Sequence, residues 1–215
     1  MSRANAWQAL CIKVLPLFNG QGLRGHMEDM NELVSTWLGE SYSSQAINED
    51  LNEMLTTGLL TLSTKLAAVG DEGLANRIVE VWSFFFTTVV PYLQGVFLPI
   101  RTQWRLVDAD PPDVRMLTLC GFRDQILLPL SGRMVECFPR LSTDIENGRK
   151  VNDTASRLMQ MLCIASGLPG PAERQKVVTS LLFDFKQTMM GSKKEAEATN
   201  RNSMALYGSR VHASS

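Results

Sequence analysis

The sequence predicts an all-α fold, a single compact domain of about seven helices with a kinked central aromatic helix. Apolar residues recur at every third or fourth position along most of the chain, as they do on one face of an α-helix. No pair of segments alternates apolar and polar residues in the way that predicts a sheet. Hydrophobic residues make up 45% of the 215 residues, so a sizeable core can form.

The first three helices are predicted from their apolar faces. They cover residues 7–18, 27–38 and 44–69, and at 1.5 Å per residue the third is about 39 Å long. A serine at position 43 or 44 can cap the start of the third helix, and Gly70 can form its C-terminal end. The buried face of this helix is predicted to contain Ile47, Leu51, Met54, Leu55, Leu59, Leu62 and Leu66.

The fourth helix contains a long uncharged run from Val81 to Ile100. A run of this length can span a bilayer, but Pro91 and several polar residues favour a core helix. An interfacial or partner-buried element is the remaining alternative. Because proline lacks an N–H group, Pro91 is predicted to kink or divide the helix. The predicted buried face consists of Leu74, Ile78, Trp82, Phe85, Val89 and Leu93.

A loop is expected over residues 99–112, where Asp110 and two following prolines predict the start of a fifth helix. Pro129 is expected to bend or stop that helix, with a short continuation over residues 134–138. Residues 139–152 are polar and are predicted to form a second loop.

Two further helices complete the predicted domain. Asp153 can cap the sixth helix, and Pro171 is placed at the first position of the seventh. The predicted helical domain covers residues 1–191. Residues 192–215 form a polar tail, in which residues 192–203 have no apolar face and are expected to be disordered.

Composition excludes several classes of function. The net charge is −1, whereas a general nucleic-acid binder carries a strong basic excess. With only two histidines, His26 and His212, the sequence supports neither a zinc site nor a Ser-His-Asp triad. No signal-peptide pattern is found, so we expect a cytoplasmic protein. Apolar neighbours predict buried, reduced thiols at Cys11, Cys120, Cys137 and Cys163.

Gly20, Gly22 and Gly25 match the spacing of a dinucleotide-binding loop. In that motif a strand enters the glycine turn, and the N-terminus of the following helix holds the pyrophosphate. Here the entering segment has helical periodicity, so a flexible loop between two helices is predicted instead. No residue is predicted to be catalytic or to bind a cofactor or a metal.

The segment from Val81 to Ile100 reads VWSFFFTTVVPYLQGVFLPI. It resembles the W-x-F-F-F-x-x-V-L-P-x-L-Q-A-x-F-x-P segment of the HbrB-like family, which contains the animal Protor (proline-rich) proteins and the fungal Bit-type subunits of the second TOR complex. The chain departs from the animal pattern at Val90 and Gly95, where that pattern has Leu and Ala. The signature residues are Trp82, Phe84, Phe85, Phe86, Pro91, Leu93, Gln94, Phe97 and Pro99.

Shorter segments extend the resemblance over roughly residues 5–208, although residues 139–152 and 192–203 match poorly. Each of these fragments would be weak alone. They are Asn5-Ala6-Trp7, Gly22-Leu23, Leu55-Thr56-Thr57-Gly58, Val114-Arg115, Phe122-Arg123 and Leu206-Tyr207-Gly208.

The resemblance implies a non-catalytic adaptor that binds the Rictor-type scaffold subunit of the second TOR kinase complex. It implies no catalytic residue and no cofactor. It also implies an indirect association with the plasma membrane, through the complex. Two alternatives stay open. One is a helical module that binds lipid or a membrane surface outside TOR signalling, which would need a basic amphipathic face. The other is an enzyme that uses the glycine-rich loop.

Phe84 lies off the predicted buried face of the fourth helix. On a helical wheel that starts at Trp82, Phe84 falls about 200° away. The residues within about 60° of Trp82 are Ile78, Phe85, Phe86, Val89 and Leu93. A helix that is apolar on both sides is usually buried centrally, so we expect Phe84 to be buried. The alternative is that Phe84 is an exposed aromatic contact for the scaffold.

Overall fold

The computed structural model describes the backbone of residues 1–39, 43–106, 109–146 and 152–211, and nearly all side chains in these ranges up to residue 191. In these described ranges the chain is helical and has no strand, which confirms the all-α class. The helices are α1 (Arg3–Val14), α2 (Met27–Leu38), α3 (Ser44–Ala67), α4 (Asp71–Phe84), α5 (Val90–Val96), α6 (Leu98–Thr102), α7 (Val114–Phe122), α8 (Leu128–Glu146), α9 (Asn152–Ser166) and α10 (Ala172–Val211).

The N-terminal helices begin and end close to the predicted positions. The Ser43 hydroxyl accepts a hydrogen bond from the Ala46 N–H at 3.1 Å and caps α3, as predicted. One boundary differs, because α3 ends at Ala67 and Gly70 is the N-cap of α4 rather than the end of α3. A 3-10 turn follows α1 over Leu15–Asn19 and packs against α3.

Two long rods form the centre of the fold. A π-helical segment, Phe85–Val89, joins α4 to α5, and a second, Arg123–Leu127, joins α7 to α8. With each joined pair counted as one rod, the described residues form eight helices, consistent with the predicted number of about seven. Because α4 packs against α8 while α5 packs against α7, the two rods run antiparallel.

Each π segment is followed, two residues after its end, by a proline inside the rod. The Val90 N–H donates to the Phe85 carbonyl before Pro91, and the Leu128 N–H donates to the Arg123 carbonyl before Pro129. A proline in a regular α-helix would collide with the carbonyl four residues earlier, and the wider π turn relieves that collision.

The helix therefore passes through both prolines. The prediction that Pro129 stops the fifth helix is wrong, because the helix continues through it as α8. The loop predicted over residues 139–152 is wrong for residues 139–146, because α8 is helical to Glu146. Residues 147–151 lie outside the described residues.

Two smaller predictions also differ from the structure. The loop expected over residues 99–112 contains the short helix α6, since Pro99 suits the first turn of a helix. Asp110 does not start the next helix. Asp113 is the N-cap of α7, and its carboxylate accepts the Met116 N–H at 3.0 Å.

The C-terminal helix α10 packs against α8 and α9. Its backbone is helical across residues 192–203, where the sequence predicts disorder, and the helix ends at Val211. Lys, Glu, Ala and Arg in this segment all favour helix. Side chains beyond Gly191 lie outside the described ones, including that of Tyr207, and a domain boundary near residue 191 stays a prediction.

The core extends from α1 to the first half of α10. All six residues of the predicted face of the fourth helix are buried, which confirms that part of the periodicity. Among the described residues, no helix is both long enough and apolar enough to cross a membrane.

Candidate functional site

Most of the signature builds the core rather than the surface. The Trp82 ring stacks on Phe86 with centroids 5.0 Å apart and meets the edge of Phe122 at 5.2 Å. Phe97 meets Trp37 edge-on at 6.3 Å, which ties the end of the signature to α2. The signature residues that are buried are Trp82, Phe85, Leu93, Phe97 and Pro99.

The remaining signature residues reach the surface. Pro91 and Gln94 are exposed, whereas Phe84 and Phe86 are half-buried. The prediction of central burial is therefore wrong for Phe84, which lies in a shallow pocket beside Lys65 and Arg77. The end of α3 covers only part of this side of α4, so the alternative role of Phe84 as a contact for a partner stays open.

A cleft of about 590 Å³ lies between the C-terminal end of the signature and the start of α7. We call it the signature cleft. Leu98 lines it and is 49% exposed. Asn31 fixes the wall formed by α5, because its side-chain amide donates to the carbonyls of Gly95 and Val96 at 2.9 and 2.8 Å. The polar and proline residues that line the cleft are Gln94, Arg101, Pro111, Pro112, Asp113 and Arg115.

Arg115 joins the buried and the exposed parts of the signature. Its Cζ lies 5.2 Å from the centroid of the Phe86 ring, in a cation–π contact. Its Nη1 lies 3.4 Å from the Gln94 Oε1, at the long end of hydrogen-bond distances. The guanidinium is thereby oriented at the wall of the cleft.

The other charges of the cleft leave it net positive. Arg101 is exposed, and its side chain forms no hydrogen bond or ion pair with any side chain that the structure describes. Asp113 is the acidic residue of the lining, and its carboxylate is already engaged as the cap of α7. Arg101 and Arg115 therefore line a cleft in which the Asp113 carboxylate is directed to the start of α7.

The glycine-rich loop has a different geometry from a dinucleotide site. The chain enters it from the 3-10 turn that ends at Asn19, and Gly20 has φ +83°. The loop leads into α2, whose N-terminus is occupied by acidic side chains. The Asp29 carboxylate accepts the His26 N–H at 3.3 Å, where a phosphate would need open donors. The described residues also contain no group of three or more His, Cys, Asp or Glu side chains that could hold a metal ion.

Sequence reasoning missed the structural role of Arg123, whose side chain is buried although arginine is mostly exposed in proteins. Its Nε donates to the Asp124 carboxylate at 2.7 Å, and its Nη1 donates to the carbonyls of Leu168 and Pro169 at 3.2 and 2.8 Å. The hydrogen bond to Asp124 raises the pKa of Arg123. The only signal for this role was the Phe-Arg pair of the resemblance.

The cysteines are all free thiols, as predicted, but they are not all buried. Cys137 is buried, Cys11 and Cys120 are half-buried, and Cys163 is exposed. Cys163 lies on the outer side of α9, so its apolar sequence neighbours did not predict its environment.

Comparison with known proteins identifies a family and several relatives of this chain. The profile of a family described as HbrB-like matches residues 1–135, a range that contains the signature, the signature cleft and Arg123. The fission-yeast protein named target of rapamycin complex 2 subunit bit61 is 27% identical over 211 residues, which cover 89% of this chain. Human proline-rich protein 5-like is 30% identical over 129 residues, or 60% of this chain. Proline-rich protein 5 of Xenopus laevis is 30% identical over 133 residues, or 59% of this chain.

The relatives are longer than the part that is shared. The match spans 50% of the fission-yeast protein, 33% of the human protein and 30% of the Xenopus protein. The animal matches cover less of this chain than the fission-yeast match does.

Proposed function

The chain belongs to the HbrB-like family, and on that premise we propose that it is a non-catalytic accessory subunit of the second TOR kinase complex that binds the Rictor-type scaffold. The family match confirms the resemblance of the signature segment. The name of the fission-yeast relative supports membership of this complex. The scaffold as direct partner is the more specific part of the proposal.

The observation that carries the proposal is how the signature divides between core and surface. Its aromatic residues hold the two rods together, while Gln94 and Leu98 reach the signature cleft. Gln94 is an exposed amide whose side chain contacts Arg115 at the wall of the cleft, so it lies where a partner can reach it. We propose Gln94 and Phe84 as partner-contacting members of the signature and the buried members as its structural support.

Purification of the tagged chain from its source cells, followed by mass spectrometry, tests the proposal. We expect TOR kinase and a Rictor-type scaffold among the recovered proteins. Recovery of neither would contradict the proposed function. A folded control with a surface change away from the signature, Leu60→Asp, should recover both, because Leu60 is 62% exposed on α3.

Localisation follows from the same proposal. We expect a cytoplasmic protein whose fraction at the plasma membrane falls when the scaffold is depleted. Direct co-sedimentation of the purified chain with anionic vesicles would instead favour the membrane-binding alternative.

A further inference from the structure

We propose that the signature cleft binds an acidic, extended peptide segment of the scaffold, with its carboxylates on Arg101 and Arg115 and an apolar side chain on Leu98. This inference rests on the proposed function, because it names the chemistry by which the scaffold is recognised.

The charge of the cleft favours an acidic partner. The two arginines come from different elements, α6 and α7, and line one cleft. The charge of neither arginine is neutralised in the cleft, because the Asp113 carboxylate caps the start of α7. The Arg115 guanidinium contacts the uncharged side chains of Phe86 and Gln94. A guanidinium fork matches a carboxylate with two parallel hydrogen bonds, so acidic side chains are the complementary partner.

The walls of the cleft favour recognition through side chains. One wall is formed by Pro111 and Pro112, which have no N–H group to donate to a ligand. Pro111 and Pro112 therefore cannot donate main-chain hydrogen bonds to a partner strand on that side, so the donors there are side chains. The exposed Leu98 adds an apolar surface to the same lining as the two arginines.

The orientation of the Arg115 side chain also favours binding. The Phe86 ring and the Gln94 amide hold the Arg115 guanidinium before any partner arrives. A side chain that is already oriented loses less conformational entropy on binding. Two motifs of the family resemblance, the aromatic signature and the Val114-Arg115 pair, thus meet in one arrangement at the cleft.

The test uses the purified full chain and overlapping synthetic peptides that span the Rictor-type scaffold of the same organism. We expect an acidic peptide to bind and its affinity to fall as salt is raised. Arg101→Glu should weaken binding by at least about tenfold. A peptide whose acidic residues are replaced by lysine should recover binding to that variant. Arg140→Glu, an exposed change on α8, is the matched control and should bind like the unchanged chain.

Arg115→Gln is the second variant, and its melting temperature is recorded because the cation–π contact with Phe86 is lost. A loss of peptide binding with an unchanged melting temperature supports the proposal. If the chain copurifies with the scaffold but the double variant Leu98→Asp, Arg101→Glu does so equally well, the cleft proposal is overturned and the proposed function stands. If the unchanged chain never copurifies with the scaffold, both fail. Binding of anionic vesicles but of no peptide would also overturn the cleft proposal.

Discussion

The Phe85 ring stacks on the Phe122 ring, with centroids 4.5 Å apart and planes 29° from parallel. Phe85 is the first residue of one π segment, and Phe122 directly precedes the other. The two rods thus touch where each departs from regular α-helix. This contact lies inside the family-matched range.

Alanine substitutions at Phe85 and Phe84 should distinguish a core residue from a surface residue. Phe85→Ala removes a fully buried ring and should lower the free energy of unfolding by about 3–5 kcal/mol. Phe84 is half-buried, so Phe84→Ala should cost about 1 kcal/mol, roughly half of the transfer free energy of a phenylalanine. Urea denaturation measures both. Equal losses for the two variants would show that Phe84 is as much a core residue as Phe85.

Two glycine-to-alanine changes should have opposite effects. A Cβ at Gly58 would lie 2.5 Å from the Phe18 ring, which is fully buried in the core, so Gly58→Ala should cost about 1–3 kcal/mol. A Cβ at Gly95 would meet only the end of the Met27 side chain, at 3.1 Å.

Gly95→Ala should therefore be neutral or stabilising by up to about 1 kcal/mol, because alanine favours helix. Thermal unfolding of the two variants side by side is the measurement. A stabilised Gly58→Ala variant would show that the Phe18 ring can shift. The packing explains why alanine suits position 95 in the animal pattern.

Loss of Arg123 should loosen the turn between α9 and α10. Arg123→Ala removes the guanidinium donor from the carbonyls of Leu168 and Pro169, leaves Pro169 with only the weak Cys120 thiol donor, and should cost about 3–5 kcal/mol. Arg174→Ala removes only a half-exposed partner of Asp124, so a cost of at most about 1 kcal/mol is expected. Hydrogen exchange should show faster opening of the turn in the first variant alone. Equal exchange in both variants would contradict the role given to Arg123.

The cysteines should react in order of their environments. Burial, reinforced by the nearby charges of Glu53 and Asp50, raises the pKa of Cys11 to about 11. At pH 8 only about one Cys11 in a thousand is then a thiolate, and this fraction rises tenfold per pH unit until about pH 11.

Exposed Cys163 should therefore be alkylated first by iodoacetamide and Cys11 far more slowly. Mass mapping of the alkylated peptides gives the order, and the unfolded chain, in which all four sites should react alike, is the control. Labelling of Cys11 ahead of Cys163 at pH 8 would contradict the structure.

Local signals predicted much of the fold. Both ends of α2 and the start of α3 follow from apolar spacing and from caps such as Ser43, because these signals act over a few residues. No local sequence signal predicted the π segments. A proline inside a helix usually kinks or breaks it, and the sequence around Pro129 does not show that a wider turn precedes this proline. Helix α6 has five residues, too few to establish a period.

The site was predicted in part. The signature residues and the Val-Arg and Phe-Arg pairs could be identified along the chain, but their meeting could not, because Phe86 and Arg115 are brought together only by the crossing of the rods. The burial of Val90 was missed for a related reason. A wheel that advances 100° at every residue places Val90 about 80° from Trp82, whereas the π segment returns it to the core.

A π turn has a consequence for chain length. It holds one residue more than the α-helical turn it replaces, so the flanking helices keep their facing although the count between them is larger. Among homologues, a one-residue gap within Phe85–Val89 or Arg123–Leu127 would leave α4 against α8 and α5 against α7. The same gap elsewhere in either rod would turn everything after it by about 100° and bring polar residues into the core. Insertions and deletions of one residue should therefore accumulate at these two places before any other point in the rods.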